Sequence, residues 1–305
     1  MNDVRSLTPR SSPTGARPRL LAAIAGLAAL LPGGGAAERA GGVLEDYRLQ
    51  AEPYRQWQLP GELDEISGLA VTADGRLLAV ADEAAVVYEL DYEAGRLVKA
   101  FALGHPTVRG DFEGIASLAG RVWLVTSDGL IYESAEGEDG ERLDYAVHET
   151  GAGRLCEIEG LAGRPAEGLL LLLCKQLRRG AELEGPVLFA WAIEARAMAE
   201  RRALPLPERD ILQALQGDRL RPSGVAVDGR SGRLLIVAAR PKALAELALD
   251  GSLVFAAGLV PDRHRQPEGI EILPDGRLLI ADEGDGRRAR LTVYVPAAGP
   301  GGRGR

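Results

Sequence analysis

Five short runs in this chain place a hydroxyl or a carboxylate directly before a glycine. They are Ser67-Gly68-Leu69-Ala70, Glu113-Gly114-Ile115-Ala116, Glu159-Gly160-Leu161-Ala162, Ser223-Gly224-Val225-Ala226 and Glu268-Gly269-Ile270-Glu271. Brought together, Glu113, Glu159, Glu268, Ser67 and Ser223 would form a ring of hard oxygen donors. Asp128 and Asp282 follow their own glycines at similar distances and extend the set. Such donors suit Ca2+, which takes six to eight oxygens from carboxylates, hydroxyls, carbonyls and water. Two other arrangements would satisfy the same residues. Lys175, Arg221 and Arg240 could neutralise the glutamates in internal ion pairs, since buried charges are normally paired. The glutamates could instead accept hydrogen bonds from loop amides beside the glycines. A catalytic use would need a general base, for which His105 and His264 are the candidates. No G-x-S-x-G elbow, GxxxxGK[ST] loop, HExxH pair or CxxC pair is present, so those chemistries are set aside.

What could bring such residues together is a repeat. The motif glycines follow one another at intervals of 46, 46, 64 and 45 residues. Each copy continues with a second glycine in a turn, as in Asp74-Gly75-Arg76 and Asp275-Gly276-Arg277, where a tight hairpin is expected. A short aliphatic strand follows every time (LLAVAD, VWLVTSD, LLLLLCK, LLIVAAR, LLIADE), and then a third strand. Continuous apolar runs of this length suit strands buried on both faces. Four short strands per repeat of this period mark a propeller blade. The fold class is therefore all-β, a β-propeller of five blades with six left open. The last copy stops after three strands, so the chain start, around residues 47–59, is expected to supply the missing strand and close the ring. The long interval holds an insertion, about 201–221, in which residues 208–216 could make one or two helical turns. In a propeller, inner strands line the channel, and the start of strand one meets the end of strand two at one face. The candidate ligands therefore belong to one acidic mouth.

The runs Glu65-Ile66-Ser67-Gly68-Leu69-Ala70, Asp111-Phe112-Glu113-Gly114-Ile115-Ala116, Arg221-Pro222-Ser223-Gly224 and Gln266-Pro267-Glu268-Gly269-Ile270 resemble the SdiA-regulated domain (YjiK/CarP) family of bacterial envelope propellers. The resemblance spans nearly the whole chain after residue 54. It implies an N-terminal signal or anchor, a propeller related to NHL-type repeats and a link to calcium, and it hands over no catalytic mechanism. Blade four departs from the pattern, with Ala238-Ala239-Arg240 where most blades carry Asp.

Composition sets the outer bounds. The 305 residues are 46% hydrophobic and carry a net charge of −8, enough to build a core and too acidic for a nucleic-acid partner. Four arginines precede the apolar run 20–31, which ends in Pro32 and three glycines. Residues 1–37 thus read as a signal peptide or an uncleaved anchor to the inner membrane, short for a spanning helix. Residues 38–45 follow as a linker, 46–296 as the propeller and 297–305 as a disordered tail, and the expected location is the periplasm or cell envelope. The two cysteines, Cys156 and Cys174, fall at the mouth side of blade three and are either a disulfide or two buried thiols. Together these features predict an exported, non-catalytic propeller that binds Ca2+ or an unidentified protein or small ligand at its mouth. A Ca2+-dependent hydrolase of lactonase, esterase or phosphatase type is the alternative.

Overall fold

The computed structural model describes residues 41–51, 55–178 and 184–297. The expected signal or anchor, 1–37, lies outside the described residues, as does the tail beyond residue 297. The rest is a five-bladed β-propeller. Blade one is Ile66–Val71, Leu77–Ala81, Val86–Asp91 and Arg96–Leu103, edged by the short parallel strand Arg142–Leu143. Blade two is Phe112–Leu118, Arg121–Thr126, Leu130–Ser134 and Ala146–Glu149. Blade three runs through Cys156–Arg164, Leu169–Leu177, Val187–Ala192 and Ala197–Pro205, and blade four through Arg221–Val227, Leu234–Arg240, Ala243–Leu247 and Leu253–Gly258. Blade five takes Pro267–Ile272, Leu278–Asp282 and Arg290–Tyr294 from the chain end. Its outer strand, Arg55–Gln58, comes from the chain start, with Arg55 opposite Val293. Five blades close the ring, and a sixth is not needed.

The core follows from the apolar runs. Strands buried on both faces cannot be solvated on either, so each blade packs against two neighbours. Five apolar clusters result, one per interface. Leu78, Val80, Phe101, Ile115 and Leu124 join blades one and two. Leu69, Leu77, Leu279 and Leu291 join blades five and one. The helix Glu208–Leu215 in the insertion sets Ile211 into the interface of blades three and four. Because the fourth strand of blade three extends to Pro205, the insertion is shorter than its 201–221 outline.

At the axis the five motif glycines touch the next blade. None has the left-handed backbone that would demand glycine. Their shared property is the missing Cβ. One added to Gly68 would lie 3.0 Å from the Gly114 Cα, one on Gly114 would lie 2.5 Å from the Leu161 nitrogen, and one on Gly160 would lie 3.4 Å from the Gly224 Cα. On Gly224 it would strike the Glu268 carbonyl oxygen, and on Gly269 it would come 2.9 Å from Leu69 Cγ, which completes the circuit. The turn glycines do a different job. Gly120, at φ 70°, faces open space and is needed for its backbone conformation alone.

Residues 41–51 form a strap where a linker and the start of the closing strand were expected. Val43, Leu44, Tyr47 and Leu49 are buried between blades four and five. Glu246, with no exposed surface, accepts the Val43 and Leu44 amides at 2.8 Å each and the Arg233 guanidinium at 2.7 Å. The Tyr47 hydroxyl donates to the Gly276 carbonyl. In blade three Cys156 and Cys174 are joined in a disulfide, Cα atoms 5.8 Å apart, that ties the inner strand to the second.

Gly114→Ala should cost roughly 3 kcal/mol or more, because backbone of the next blade must move. Gly120→Ala should cost about 1 kcal/mol, from left-handed backbone alone. Denaturant titration of both variants checks this, and equal losses would contradict the axial-contact explanation. Replacing both Cys156 and Cys174 by Ala should lower stability by about 3 kcal/mol, the entropy of a loop of this size, read in the same titration.

Candidate functional site

The repeated motif is a repeated β-bulge. In blade one Ile66 pairs with Ala81 but Gly68 with Val80, and in blade two Phe112 pairs with Thr126 but Gly114 with Val125. Blades four and five slip in the same way, before Gly224 and before Gly269, and blade three slips between Ile158 and Leu161. The residue left over is the first of each motif: Ser67, Glu113, Ser223 and Glu268, with Glu159 in the blade-three slip. A bulge residue leaves the alternation of its strand and is aimed elsewhere. Here the aim is the axis. Ser67, Glu113 and Glu268 line a neck of about 10 Å³ together with the motif glycines, room for about one water.

The five bulge residues divide into two kinds. Ser67 donates its hydroxyl to the Phe112 carbonyl at 2.7 Å, and Ser223 to the Pro267 carbonyl at 2.6 Å. Each serine thus clasps its blade to the next. A carboxylate has no proton for that bond. Glu159, 6% exposed, turns to Lys175, whose ammonium donates to it at 2.7 Å. Burial still pushes the Glu159 carboxyl up to about 7 against the pull of Lys175. Glu113 is raised further, to about 9, by burial and by the charges of Glu159, Asp111 and Glu268. Glu268 rises to about 8 through burial and the neighbouring Glu159 and Glu283. At neutral pH the neck is therefore a proton store. Its carboxyls are crowded, desolvated and served by one ammonium.

A second column of side chains reaches the same face from the ends of the second strands. It is fixed by pairing: the residue following the partner of Ile66, Phe112, Ile158, Pro222 or Pro267. Those residues are Asp82, Ser127, Lys175, Ala239 and Glu283. Asp82 is raised to about 6 by burial and by Glu65, Glu83 and Asp111, and Glu283 is also raised, by burial, Glu65 and Asp285. Asp128 and Asp282 are not in this column. Hairpins of unequal length put Asp128 one residue past it and Asp282 one residue short, and a shift of one residue reverses the face of a strand. Asp128 is exposed in a turn, where its carboxylate accepts the Thr126 hydroxyl. Asp282 is fully buried and bonds His264 Nδ1 at 2.8 Å, while His264 Nε2 meets the Tyr294 hydroxyl at 2.7 Å.

Both candidate bases are thereby accounted for. His264 has no exposed surface and sits inside blade five, and His105 is exposed in the loop after the outer strand of blade one. Of the cations, Lys175 reaches the glutamates, Arg221 bonds the Gln176 side chain at 2.8 Å and Arg240 is exposed. Among the described residues no three Asp, Glu, His or Cys side chains form a cage for a metal ion. Beside the neck, Asp64, Glu65, Glu283, Asp285, Arg287 and Arg288 border an open hollow of about 540 Å³, so the approach to the mouth is polar and charged.

No protein-family profile matches the chain, and no curated protein sequence does. Solved structures share its architecture. The glutaminyl cyclase of Myxococcus xanthus is similar at a TM-score of 0.53 with 14% sequence identity, covering 80% of this chain and 96% of that one. A luciferin-regenerating enzyme is similar at 0.50 with 10% identity, covering 80% and 96%. Likeness at such identity establishes the propeller fold.

The raised carboxyls fix the sign of a pH dependence. A group that holds its proton more tightly when folded makes the folded state bind more protons, so stability falls as pH rises. For Glu113 and Glu268 the window runs from the ordinary glutamate value up to about 9 and about 8. The melting temperature should therefore fall between pH 5 and 9. Glu113→Gln should flatten that fall and gain about 1–2 kcal/mol at the alkaline end. Lys175→Met should destabilise by about 1–3 kcal/mol at pH 8, where Glu159 without its ammonium must take up a proton or stand charged alone, and by much less at pH 5. Melting curves across pH test all three.

Proposed function

We propose that this chain is a non-catalytic binding propeller of the cell envelope whose acidic mouth takes a divalent cation, Ca2+ above others. The observation that carries the reading is the neck itself. The bulges deliver Glu113 and Glu268 to one narrow point with the charge of Glu159 acting on both and, among the described residues, Lys175 as the ammonium beside them, although the serine used in blades one and four would close the ring at no electrostatic cost. Glu113 and Glu268 are the ligands. Among the described residues Glu113 pairs with no cation, and Glu268 has only the neighbouring Gln266 side chain to favour its charged form beside the distant pull of Lys175. Two carboxylates with water completing the shell make a weak site, in the millimolar range of extracellular calcium modules. Glu159 stays with Lys175, and the serines stay with their carbonyls. A cation there supplies the positive charge that lets both carboxyls ionise.

The Cys156–Cys174 disulfide supports an oxidising compartment outside the cytoplasm. The apolar run near the start, read as a signal or anchor, supports the same location. The reading as a member of the SdiA-regulated domain family is supported by the motif runs that resemble it. A hydrolase has one feature in its favour, the carboxyl of Glu113 held near pH 9 in a cleft, where it would serve as a proton donor. It lacks a histidine able to reach that cleft, and the binding reading is the stronger.

Thermal melting of the purified chain in millimolar Ca2+ is the test. A tenfold excess over the dissociation constant should stabilise by about 1.4 kcal/mol, which is roughly 2–4 °C for a domain of this size. The shift should be larger at pH 8 than at pH 6, because the ligands must lose their protons. It should vanish with chelator and in the Glu113→Gln/Glu268→Gln double variant. No shift at pH 8 would overturn the reading. Hydrolysis of an ester, lactone or phosphate that is lost in Glu113→Gln would replace it with the enzymatic one.

A further inference from the structure

Past the glycine ring the channel widens toward the other face. There the ends of all five inner strands and the hairpins that follow them surround a cavity of about 550 Å³. Much of its wall is apolar, built from side chains such as Ile115, Leu118, Leu161 and Ile272, with charged side chains around it. The fourth residue of the motif is alanine in blades one to four, and three of these, Ala70, Ala116 and Ala162, line the cavity. In blade five it is Glu271. The break in the repeat puts one carboxylate into a layer that is otherwise methyl groups.

Glu271 is held rather than neutralised. Its two oxygens accept the Val71 amide of blade one at 3.2 Å and its neighbour Ile272 at 2.8 Å. Among the described residues no cation pairs with it. Burial raises it to about 7, opposed by those two amides. The other charged groups facing the cavity are engaged with one another or just behind it. Arg76 pairs with Asp74, Glu89 and Glu136, Arg121 with Glu133, and Arg230 with Asp228. Each Glu271 oxygen keeps a lone pair beyond the one its amide uses. A buried carboxylate without a cation is costly, and a ligand that brings the cation removes that cost.

We propose that this cavity is a second binding site, for a small organic amine: a protonated primary or secondary amine on a compact apolar body. The ammonium bonds Glu271, and the body fills the space left by the alanines. The volume lies in the range that encloses small ligands, and largely apolar walls with a few placed polar groups are the usual composition of such sites. The site does not depend on the cation reading of the mouth. A neck with room for about one water separates the two ends of the axis.

Calorimetric titration of the purified chain decides it, with phenethylamine and octylamine as probes and phenylethanol and octanol as their neutral counterparts. The amines should bind at least tenfold more tightly than the alcohols. Glu271→Gln should remove that preference. Ser117→Phe, placed in the half-buried cavity wall on a different blade from Glu271, should abolish binding of all four probes while the protein still melts cooperatively. Should Glu271→Gln fail to fold, the amine-to-alcohol ratio and Ser117→Phe still give the answer. Equal affinity for amine and alcohol would overturn the assignment of charge. Full binding in Ser117→Phe would overturn the location, and no amine binding at millimolar concentration would overturn the site.

Discussion

The structure depends on five places at the axis where a glycine leaves no room for a side chain: at four, backbone lies against backbone of the next blade, and at Gly269 the Leu69 side chain fills the gap. Inner strands carrying any larger residue at the motif position would be pushed off the axis, and the five apolar interfaces behind them could not all close together. Interiors are packed tightly enough that even a methyl group is felt. The glycine ring therefore sets the radius of the channel. A small radius makes the neck narrow, and a narrow neck turns three glutamates from ordinary surface carboxylates into a coupled, proton-holding group. Fold and chemistry are tied at the same five residues.

The bulges are the second half of that constraint. A strand in regular alternation would direct the residue before each glycine toward a neighbouring blade, as Leu69 and Ala70 are directed on either side. The extra residue frees one side chain per blade from packing. Serine uses that freedom for a bond to the next blade, and glutamate cannot while it is ionised. The mouth thus exchanges some cohesion for charge, and Lys175 offsets part of it. The pairing is uneven: one glutamate has the ammonium, and the other two share their repulsion.

Much of the architecture was legible in the residues. The spacing of Gly68, Gly114, Gly160, Gly224 and Gly269 implied blades, the paired turn glycines implied hairpins, and the short last repeat implied a strand borrowed from the chain start. The site was legible only in part. Glu113, Glu159 and Glu268 share the motif and so share a place. Asp128 and Asp282 were aligned by residue type, whereas position at the mouth is counted from the strand partner of the motif, and hairpin lengths differ between blades. Counting from the partner puts Asp82 and Glu283 at the mouth. The strap could not be read from the repeat at all, since Val43, Leu44, Tyr47 and Leu49 belong to no copy. The signal for it was a buried acid, Glu246, within an aliphatic strand of blade four.

Blade five joins the two ends of the chain, and this imposes an order in time. During synthesis Arg55–Gln58 emerges early and has no partner until Arg290–Tyr294 appears. The strap waits as well, because Glu246 lies some two hundred residues downstream. Closing a loop of that length costs about 5 kcal/mol in chain entropy, aside from a constant term. Blades one to four can pair from local hairpins as they are made, but the ring stays an open arc with two exposed faces until Arg290–Tyr294 has been made. The final strand pairing is then the step that converts a string of hairpins into a closed body.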